Sequence, residues 1–242
     1  MNLRFVDKAA ARQCVWDLLA TERVARFPFP PHGRIPNFAG AREAALCLLD
    51  HALFVGAAVL KVNPDAPQRP VREEALRRGQ VVLMPTPRLR AGFRCLDPER
   101  IPKDEIARAA SLSGSQRFGR ELPLRGLPRI DAIVCGSVAV TRTGRRCGKG
   151  EGYSDLEFAI LRELGHPEVP VGTTVHGLQI VAELPWDPTD LPVSLIASPE
   201  VLIPVSKPPP SPERIDWTRL GEEDLLAMPV LRQLRELTGS PS

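Results

Sequence analysis

The chain has 242 residues, which is enough for one large domain or two small ones with a sizeable core. Its 43% of hydrophobic and 25% of charged residues are typical of a soluble globular protein, and the net charge of +3 is too small to argue for nucleic acid as a partner. The longest apolar run, residues 44–60, is broken by Asp50 and His51 and is too short to span a bilayer, so we expect no membrane segment.

Helices and strands are predicted to alternate in the first part of the chain. Residues 7–26 predict an amphipathic helix, and residues 40–51 predict a second helix that leads into an apolar run, 53–62, typical of a buried strand. A short helix at 70–78 and a strand at 80–84 repeat this order. Helix before strand, twice over, predicts an α/β domain with a mostly parallel sheet.

The middle of the chain continues the pattern less regularly. Residues 102–112 predict a short helix, residues 113–129 a surface crossing, and residues 130–135 another buried strand, which 137–141 extend or pair with as a hairpin. Residues 153–164 predict a helix that a glycine ends. Three short strands are predicted after it, at 172–175, 193–197 and 201–205.

The sequence of the last forty or so residues predicts an appendage to the α/β domain. Residues 207–212 are proline-rich and predict a stiff extended linker, and residues 220–237 predict one broken helix or two short helices interrupted at Pro229. We therefore expect an α/β domain over residues 1–205, followed by a linker and a short helical tail over 206–242.

The cysteines and histidines indicate a compartment and exclude one kind of site. Five cysteines occur without a Cys-x-x-Cys pair, and the four histidines show no metal-ligand spacing. An odd number of cysteines is typical of a reduced protein, and the N-terminus lacks an apolar signal core. We expect a cytoplasmic protein without a structural zinc site.

A glycine-rich stretch between a predicted strand and a predicted helix is the main candidate for a functional site. Its glycines are Gly144, Gly148, Gly150 and Gly152. Glycines at this density let backbone N–H groups converge, and the start of a helix adds partial positive charge, so the stretch has the properties of an anion cradle. Arg145, Arg146 and Lys149 would add full charges, and Asp155 could hold a divalent cation on phosphate oxygens. The spacing fits neither the dinucleotide nor the P-loop pattern, and a flexible surface hairpin remains the alternative.

Two further groups of basic residues lie elsewhere. Lys8 and Arg12 are four residues apart on the first predicted helix, with Asp7 as its N-cap, so they project from the same side and could hold an anion between them. The alternative is a solvated helix face. The same alternative is favoured for the second group, Arg88, Arg90 and Arg94.

These motifs resemble those of the 5-formyltetrahydrofolate cyclo-ligase family, also called methenyltetrahydrofolate synthetases. The family signature Arg-x-Gly-x-Gly-x-Gly-Tyr-Tyr-Asp-Arg is matched by Arg146, Gly148, Lys149, Gly150, Gly152, Tyr153 and Asp155, and its N-terminal Lys-x-x-x-Arg by Lys8 and Arg12. The chain is most similar to the branch of methenyltetrahydrofolate-synthetase-domain-containing proteins, through the stretches 34–38, 62–65, 85–90, 136–140 and 148–153. The resemblance spans roughly residues 8 to 203.

The resemblance implies a three-layer α/β fold, an enzyme of one-carbon metabolism, and ATP and Mg²⁺ as cofactors. The cyclo-ligases convert 5-formyltetrahydrofolate into 5,10-methenyltetrahydrofolate by phosphorylating the formyl oxygen. By resemblance, ATP and a folate or another formylated small molecule are the partners. The resemblance also implies roles for the matched residues: Arg146 and Lys149 catalyse, Asp155 binds the metal, and Lys8, Arg12, Gly148, Gly150, Gly152 and Tyr153 complete the nucleotide site.

Several positions depart from the family pattern. The second tyrosine of the signature is Ser154 and the arginine after its aspartate is Leu156. The proline before the loop is Gly136, an aspartate after it is Thr141, and a late aspartate is Ser194. The acidic residue that contacts folate has Asp65 as its nearest counterpart.

These departures leave a second hypothesis open. The protein could be a nucleotide-binding regulatory or RNA-associated protein that has lost cyclo-ligase activity, although no aromatic RNA-binding signature occurs. Candidate aromatic walls for a pterin ring are Trp16, Phe93 and Trp186, and the alternative for each is a place in the core.

Overall fold

A computed structural model describes residues 2–239 of the chain. Its α-helices are α1 (Lys8–Thr21), α2 (Ala41–Leu49), α3 (Ala52–Val55), α4 (Arg69–Arg77), α5 (Ile106–Ala109), α6 (Leu112–Phe118), α7 (Tyr153–Glu163), α8 (Glu222–Ala227) and α9 (Pro229–Thr238). Its strands are β1 (Ala25–Arg26), β2 (Asn37–Phe38), β3 (Val59–Val62), β4 (Val81–Pro85), β5 (Phe93–Leu96), β6 (Arg120–Leu122), β7 (Ala132–Cys135), β8 (Ala139–Thr141), β9 (Arg146–Cys147), β10 (Val171–Thr174), β11 (Ile180–Val181), β12 (Leu195–Ala197) and β13 (Leu202–Pro204).

The main sheet of the described residues has eight strands in the order β13-β12-β10-β7-β3-β4-β5-β6. The five central strands, β12 to β4 in that order, run parallel, and the outer strands are antiparallel to their neighbours. Parallel neighbours require crossover connections, which α4 and α7 help to supply. The predicted α/β fold with a mostly parallel sheet flanked by helices is confirmed.

Strand β7 shows how the sheet separates two hydrophobic layers. Ala132 and Val134 face a cluster that includes α2, α4 and α5, whereas Ile133 and Cys135 face a cluster built from α7 and the C-terminal helices. This alternation follows from the two-residue period of a strand. Both faces of the sheet are covered, which explains why these strands have nearly continuous apolar sequences.

Three predicted segments differ from the structure. The apolar run 53–62 is not one strand, because residues 52–55 form α3, where the His51 imidazole accepts a hydrogen bond from the Leu53 N–H. A short apolar run cannot distinguish a helix from a strand by its period. The surface crossing 113–129 instead contains α6 and β6. Helix α1 ends at Thr21 rather than 26, since Arg23 has a left-handed φ of 55° that breaks the helix.

A second sheet of the described residues, β11-β8-β9, carries the glycine-rich stretch. Strand β8 therefore neither extends the main sheet nor pairs with β7. Helix α1 packs on this second sheet through Val15 and Leu19, in a cluster that includes Val138 and Cys147. Because β9 leads into the glycine loop, this packing brings the N-terminus of α1 close to that loop.

The C-terminal tail packs on the same core as the main sheet. Ile215, Leu225, Leu231 and Leu234 are buried in the cluster that contains α7. Two short helices form as expected, and Pro229 is the first residue of the second. A backbone N–H at this position would have no acceptor within the helix, so proline is tolerated there. Within residues 2–239, no helix has the length and apolar character needed to cross a membrane.

Candidate active site

The glycine loop joins β9 to α7 and has a backbone that requires glycine. Gly150 and Gly152 have φ values of 106° and 72°, in the left-handed region that other residues rarely adopt. Gly152 is the N-cap of α7, an 11-residue helix, so the N–H groups of the first turn point into the loop. The local structure therefore has the donors and the partial positive charge of an anion-binding helix N-terminus.

Arg146 lies beneath this loop and is 3% exposed. Its Nη2 donates to the Asp155 Oδ1 over 3.1 Å, and the same oxygen accepts from the Leu191 N–H over 2.9 Å. Burial by itself lowers the pKa of Arg146, but the Asp155 carboxylate and the nearby thiols outweigh burial and raise that pKa above its ordinary value. Arg146 is thus a permanently charged group at the base of the loop.

The two N-terminal cations of α1 reach the same place. Asp7 caps the helix, because its carboxylate accepts from the Ala10 N–H over 2.8 Å. Lys8 forms an ion pair with Asp190, and the Arg12 Nη1 lies 3.5 Å from the carbonyl oxygen of Gly148. The prediction that Lys8 and Arg12 project from one side of the helix is consistent with these contacts.

Two cavities lie on either side of the glycine loop. The first cavity has a volume of about 440 Å³, and seven of the predicted site residues line it: Lys8, Arg12, Arg146, Gly148, Gly150, Gly152 and Asp155. The second cavity has a volume of about 690 Å³. Lys149 and Tyr153 line the second cavity and not the first. The structure thus brings most of the predicted residues together and places these two across the loop.

A common wall separates the two cavities. Its members line both: Arg146, Gly148, Glu151, Gly152 and Asp155. This wall contains the buried Arg146–Asp155 pair and the start of α7. The side chains of this wall are therefore accessible to a ligand in either cavity.

The model of the 5-formyltetrahydrofolate cyclo-ligase family matches residues 4–199. The chain belongs to this family. The methenyltetrahydrofolate synthase domain-containing protein of Mus musculus is 40% identical over 237 residues, covering 96% of this chain and 64% of the relative. The Homo sapiens protein of the same name is 35% identical over 237 residues, covering 95% and 62%. The chain spans about three fifths of the length of these curated relatives.

A solved cyclo-ligase has the same fold. The NMR structure of Aquifex aeolicus 5,10-methenyltetrahydrofolate synthetase superimposes with a TM-score of 0.53 at 15% identity, covering 83% of this chain and 93% of that chain. At this identity the likeness concerns the fold alone. The family predicted from the glycine loop and the N-terminal cations is confirmed.

Two departures from the cyclo-ligase signature have defined places. Leu156 lines the first cavity, so an apolar side chain stands where the signature has an arginine. Ser154 lines the second cavity, and its Oγ accepts from the Asn63 Nδ2 over 2.6 Å. The first change removes a cation from the first cavity, and the second gives the second cavity a small hydroxyl in place of a ring.

A third departure, Gly136, is explained by packing. A β-carbon added there would lie 2.9 Å from Ile35 and 3.1 Å from the Oε1 of Gln68, a side chain that is fully buried. The larger residue of the cyclo-ligase pattern would therefore require both neighbours to move.

A buried ion pair that the sequence did not reveal lies behind the second cavity. Lys61 on β3 is 1% exposed and forms an ion pair with Glu157 on α7, which lines the cavity. The Lys61 Nζ also donates to the Asn63 Oδ1 over 2.7 Å. Burial raises the pKa of Glu157, and the charge of Lys61 opposes that rise. A lysine inside an apolar strand was the available signal, because such a residue needs a buried partner.

Asp65, the nearest counterpart of the acidic folate contact, lines the second cavity. Burial raises its pKa, and the charges of Lys149, Arg72 and Lys61 act in the opposite direction. The turn that carries Asp65 is fixed by Arg72, which donates to the carbonyl oxygens of Asn63, of Asp65 over 3.2 Å and of Ala110 over 2.8 Å. Burial lowers the pKa of Arg72 to about 10.

The three aromatic candidates for a pterin wall lie outside both cavities. Trp16, Phe93 and Trp186 line neither cavity, and Phe93 is fully buried in the core. Phe27 lines the second cavity instead and is 79% exposed. The proline-rich segment that carries it has no helical or strand period, so sequence patterns gave no reason to select it.

The second basic group is divided by the structure. Arg88 lines the second cavity, and Arg90 is exposed. Arg94 is buried and pairs with Glu121 over 2.7 Å. These three residues therefore form no single basic surface.

Metal-binding capacity at the site is limited to individual carboxylates. Within residues 2–239, no group of three or more His, Cys, Asp or Glu residues could hold a metal ion. Mg²⁺ usually binds through one or two carboxylates together with substrate phosphates, rather than in a cage made only of protein. Asp155 beside the glycine loop fits Mg²⁺ that arrives with a nucleotide, and its metal role remains a prediction.

Proposed function

We propose that the protein is an ATP- and Mg²⁺-dependent cyclo-ligase that converts 5-formyltetrahydrofolate, or a related formylated compound, into its cyclic methenyl product. The observation that carries this proposal is the common wall. ATP in the first cavity and the formylated substrate in the second would meet at Arg146, Asp155 and the N-terminus of α7.

The first cavity suits the polyphosphate of ATP. Lys8, Arg12 and Arg146 supply three positive charges beside the glycine loop. Lys8 and Arg146 are paired with carboxylates, which hold the cations in place before an anion arrives. Phosphoryl transfer depends on positioning and charge neutralisation more than on a covalent nucleophile. The three cations and the loop N–H groups would supply both to a polyphosphate, and Mg²⁺ bound with it would offset the carboxylates that also line this cavity.

The second cavity suits the formylated substrate. Its volume of about 690 Å³ lies within the range for ligands of the size of a folate. Phe27 offers an aromatic face at the cavity, and Asp65 and Asn63 offer polar groups for the edge of a pterin ring. Arg34 and Arg88 also line this cavity and would attract the carboxylates of the substrate.

The reaction has two balanced steps. The formyl oxygen attacks the γ-phosphorus of ATP, an O–P bond forms, and the bond from that phosphorus to the leaving oxygen of ADP breaks. N10 then attacks the formyl carbon, the C–O bond breaks, phosphate leaves, and N10 loses its proton. Arg146 belongs to the common wall and Lys149 lines the second cavity, and both would neutralise the transferred phosphoryl group. Asp155 would hold Mg²⁺, which supplies further neutralisation of phosphate charge when bound.

The test is the methenyl-folate absorbance of the purified protein mixed with ATP, Mg²⁺ and 5-formyltetrahydrofolate. We expect a rise that requires all three additions and is lost in Asp155→Asn, whereas the exposed control Asp17→Asn retains it. ATP binding is measured in parallel by calorimetry. No rise together with normal ATP binding would contradict the cyclo-ligase proposal.

That outcome would favour the second candidate, a nucleotide-binding regulatory or RNA-associated protein. Leu156 is the observation that favours it, because the first cavity lacks the last arginine of the cyclo-ligase signature. RNA binding would weaken steeply with added salt, and ATP would compete poorly for it.

A further inference from the structure

The C-terminal tail closes one side of the first cavity. Eight tail residues line this cavity together with the glycine loop: Pro212, Arg214, Ile215, Asp216, Arg219, Leu220, Asp224 and Met228. The family model ends at residue 199, so these residues lie outside it. The mouse relative nevertheless aligns over 96% of the chain, which includes most of the tail. The tail thus has a counterpart in this relative, whereas the family model does not include it.

The tail is a fixed wall. Ile215 is 3% exposed, and its N–H donates to the Glu163 Oε2 on α7 over 3.1 Å. Farther along, the guanidinium of Arg235 stacks on the Trp217 ring, 4.5 Å from its centroid. Burial of apolar residues on both sides of this stack attaches the tail to the core of the main sheet.

The tail lines the part of the cavity that extends away from the phosphate-binding loop. Leu156 and Ala159 on α7 also line the cavity. Ala159 lies seven residues after the N-cap Gly152, which corresponds to roughly 10 Å along the helix axis. The cavity therefore continues along α7, from the N–H groups of the first turn to side chains that are apolar.

This extension has the chemistry of a site for a planar apolar ring. Ile215, Leu220 and Met228 from the tail join Leu156 and Ala159 from α7 as apolar lining residues. The cations Lys8 and Arg12 belong to α1, and Arg146 lies at the glycine loop. Ligand sites typically combine an apolar wall with a few placed charges, and a nucleotide has the matching arrangement of a flat base and a charged end.

Arg219 connects the tail to the phosphate side. It donates to both carboxylate oxygens of Asp187, over 2.8 Å and 2.9 Å. The Asp187 N–H in turn donates to Asp190 over 2.8 Å, and Asp190 pairs with Lys8. The position of the tail is therefore set relative to the cation that we assign to phosphate.

We propose that residues 212–228 form the base-binding wall of the nucleotide site, with Ile215, Leu220 and Met228 in contact with the purine. The proposal rests on the nucleotide role of the first cavity given above. The C-terminal segment then belongs to the binding machinery as a wall that is already in place before the nucleotide binds.

The test compares ATP with inorganic tripolyphosphate, which has the charges but no base. We use calorimetry on the full chain and on Leu220→Asn, with Leu226→Asn as the matched control, because Leu226 is 65% exposed on α8 and does not line the cavity. Leu220→Asn should weaken ATP binding about tenfold and leave tripolyphosphate binding unchanged. Leu226→Asn should change neither.

The outcomes separate this proposal from the one it rests on. Unchanged ATP affinity in Leu220→Asn, or an equal loss for ATP and tripolyphosphate, overturns the base-binding wall while leaving nucleotide binding intact. Failure of the unaltered protein to bind ATP overturns both. Thermal unfolding of each variant shows whether the fold is retained. The conservative variant Leu220→Met, which keeps an apolar side chain, should bind ATP as the unaltered protein does.

Discussion

The guanidinium of Arg12 lies directly over Gly150 of the glycine loop. A β-carbon built on Gly150 would be 3.3 Å from the Arg12 Cζ and 3.4 Å from its Nη2. This contact joins helix α1 to the loop, and it is possible because Gly150 has no side chain. The N-terminal cation and the glycine loop therefore depend on each other for their positions.

Replacement of Gly150 by alanine should weaken ATP binding by about tenfold, because the new methyl group would shift the Arg12 guanidinium from its position against the loop. The left-handed φ of 106° also adds strain, so a control for strain is needed. Gly165→Ala provides it, since Gly165 has a φ of 83° and nothing within 4 Å of an added β-carbon. Calorimetry with ATP and thermal unfolding separate the effects: both variants lose stability, and only Gly150→Ala loses affinity. Equal affinity in the two variants would argue against the role of Arg12.

A second prediction concerns Phe27. Phe27→Ala should raise the KM for the formylated substrate several-fold and leave ATP affinity unchanged, because a stacking face is lost from the second cavity only. Phe29→Ala is the matched control, as Phe29 is also exposed, at 60%, and lines neither cavity. Steady-state kinetics with each substrate varied in turn make the comparison. A parallel loss in both variants would indicate a general effect of the segment rather than a contact with substrate.

The sequence predicted the parts of the site that depend on local pattern. The glycine loop and the Lys8–Arg12 spacing were recognisable because backbone conformation and helical period follow from neighbouring residues. The two cavities were not recognisable, since each requires elements far apart in sequence. Phe27 in the second cavity comes from a segment without a period, and Leu220 in the first begins the predicted helical tail. Only the fold places these two residues at the cavities.

The partners of buried polar side chains were the other feature that could not be predicted from the sequence. Lys61 is surrounded by apolar residues in its strand, and its partner Glu157 is 96 residues away. The apolar pattern correctly predicted burial of the strand, but it contains no information about which carboxylate compensates the lysine. Likewise, Arg72 was part of a predicted short helix, and its contacts with the 63–65 turn depend on the packing of α4.

Replacing one partner of the Lys61–Glu157 pair should lower the free energy of unfolding more than replacing both partners. Lys61→Met leaves a buried carboxyl group without its cation and should lower the free energy of unfolding by about 3–5 kcal/mol. The double variant Lys61→Met, Glu157→Leu should recover most of that loss. Arg77→Met, which breaks a surface pair with Glu73, should cost about 0–1 kcal/mol. Urea denaturation measures all three, and a double variant as unstable as the single one would disprove the coupling.

The contact between Asp187 and the tail should make the free energy of unfolding depend on pH in the acidic range. Hydrogen bonds from Thr189 and from Arg219 lower the pKa of Asp187 from 3.8 to about 2. A lowered pKa in the folded state means that the unfolded chain binds the proton first on acidification. The stabilisation by this carboxylate is therefore fully present above pH 3.8 and is lost as the pH falls through about 2.

Asp187→Asn should accordingly be less stable than the unaltered protein at neutral pH, and the difference in free energy of unfolding should shrink to near zero as the pH falls from 3.8 to about 2. Arg219→Ala should shift the Asp187 pKa upward only in part, because the Thr189 N–H remains the larger cause of its lowering. Arg232→Ala, which breaks an exposed pair with Glu222 on the same tail, should leave that pKa unchanged. NMR titration of the Asp187 carboxyl group and urea denaturation across this pH range make the measurements. A stability difference that stays constant with pH would show that the charge of Asp187 does not hold the tail against the 187–190 loop.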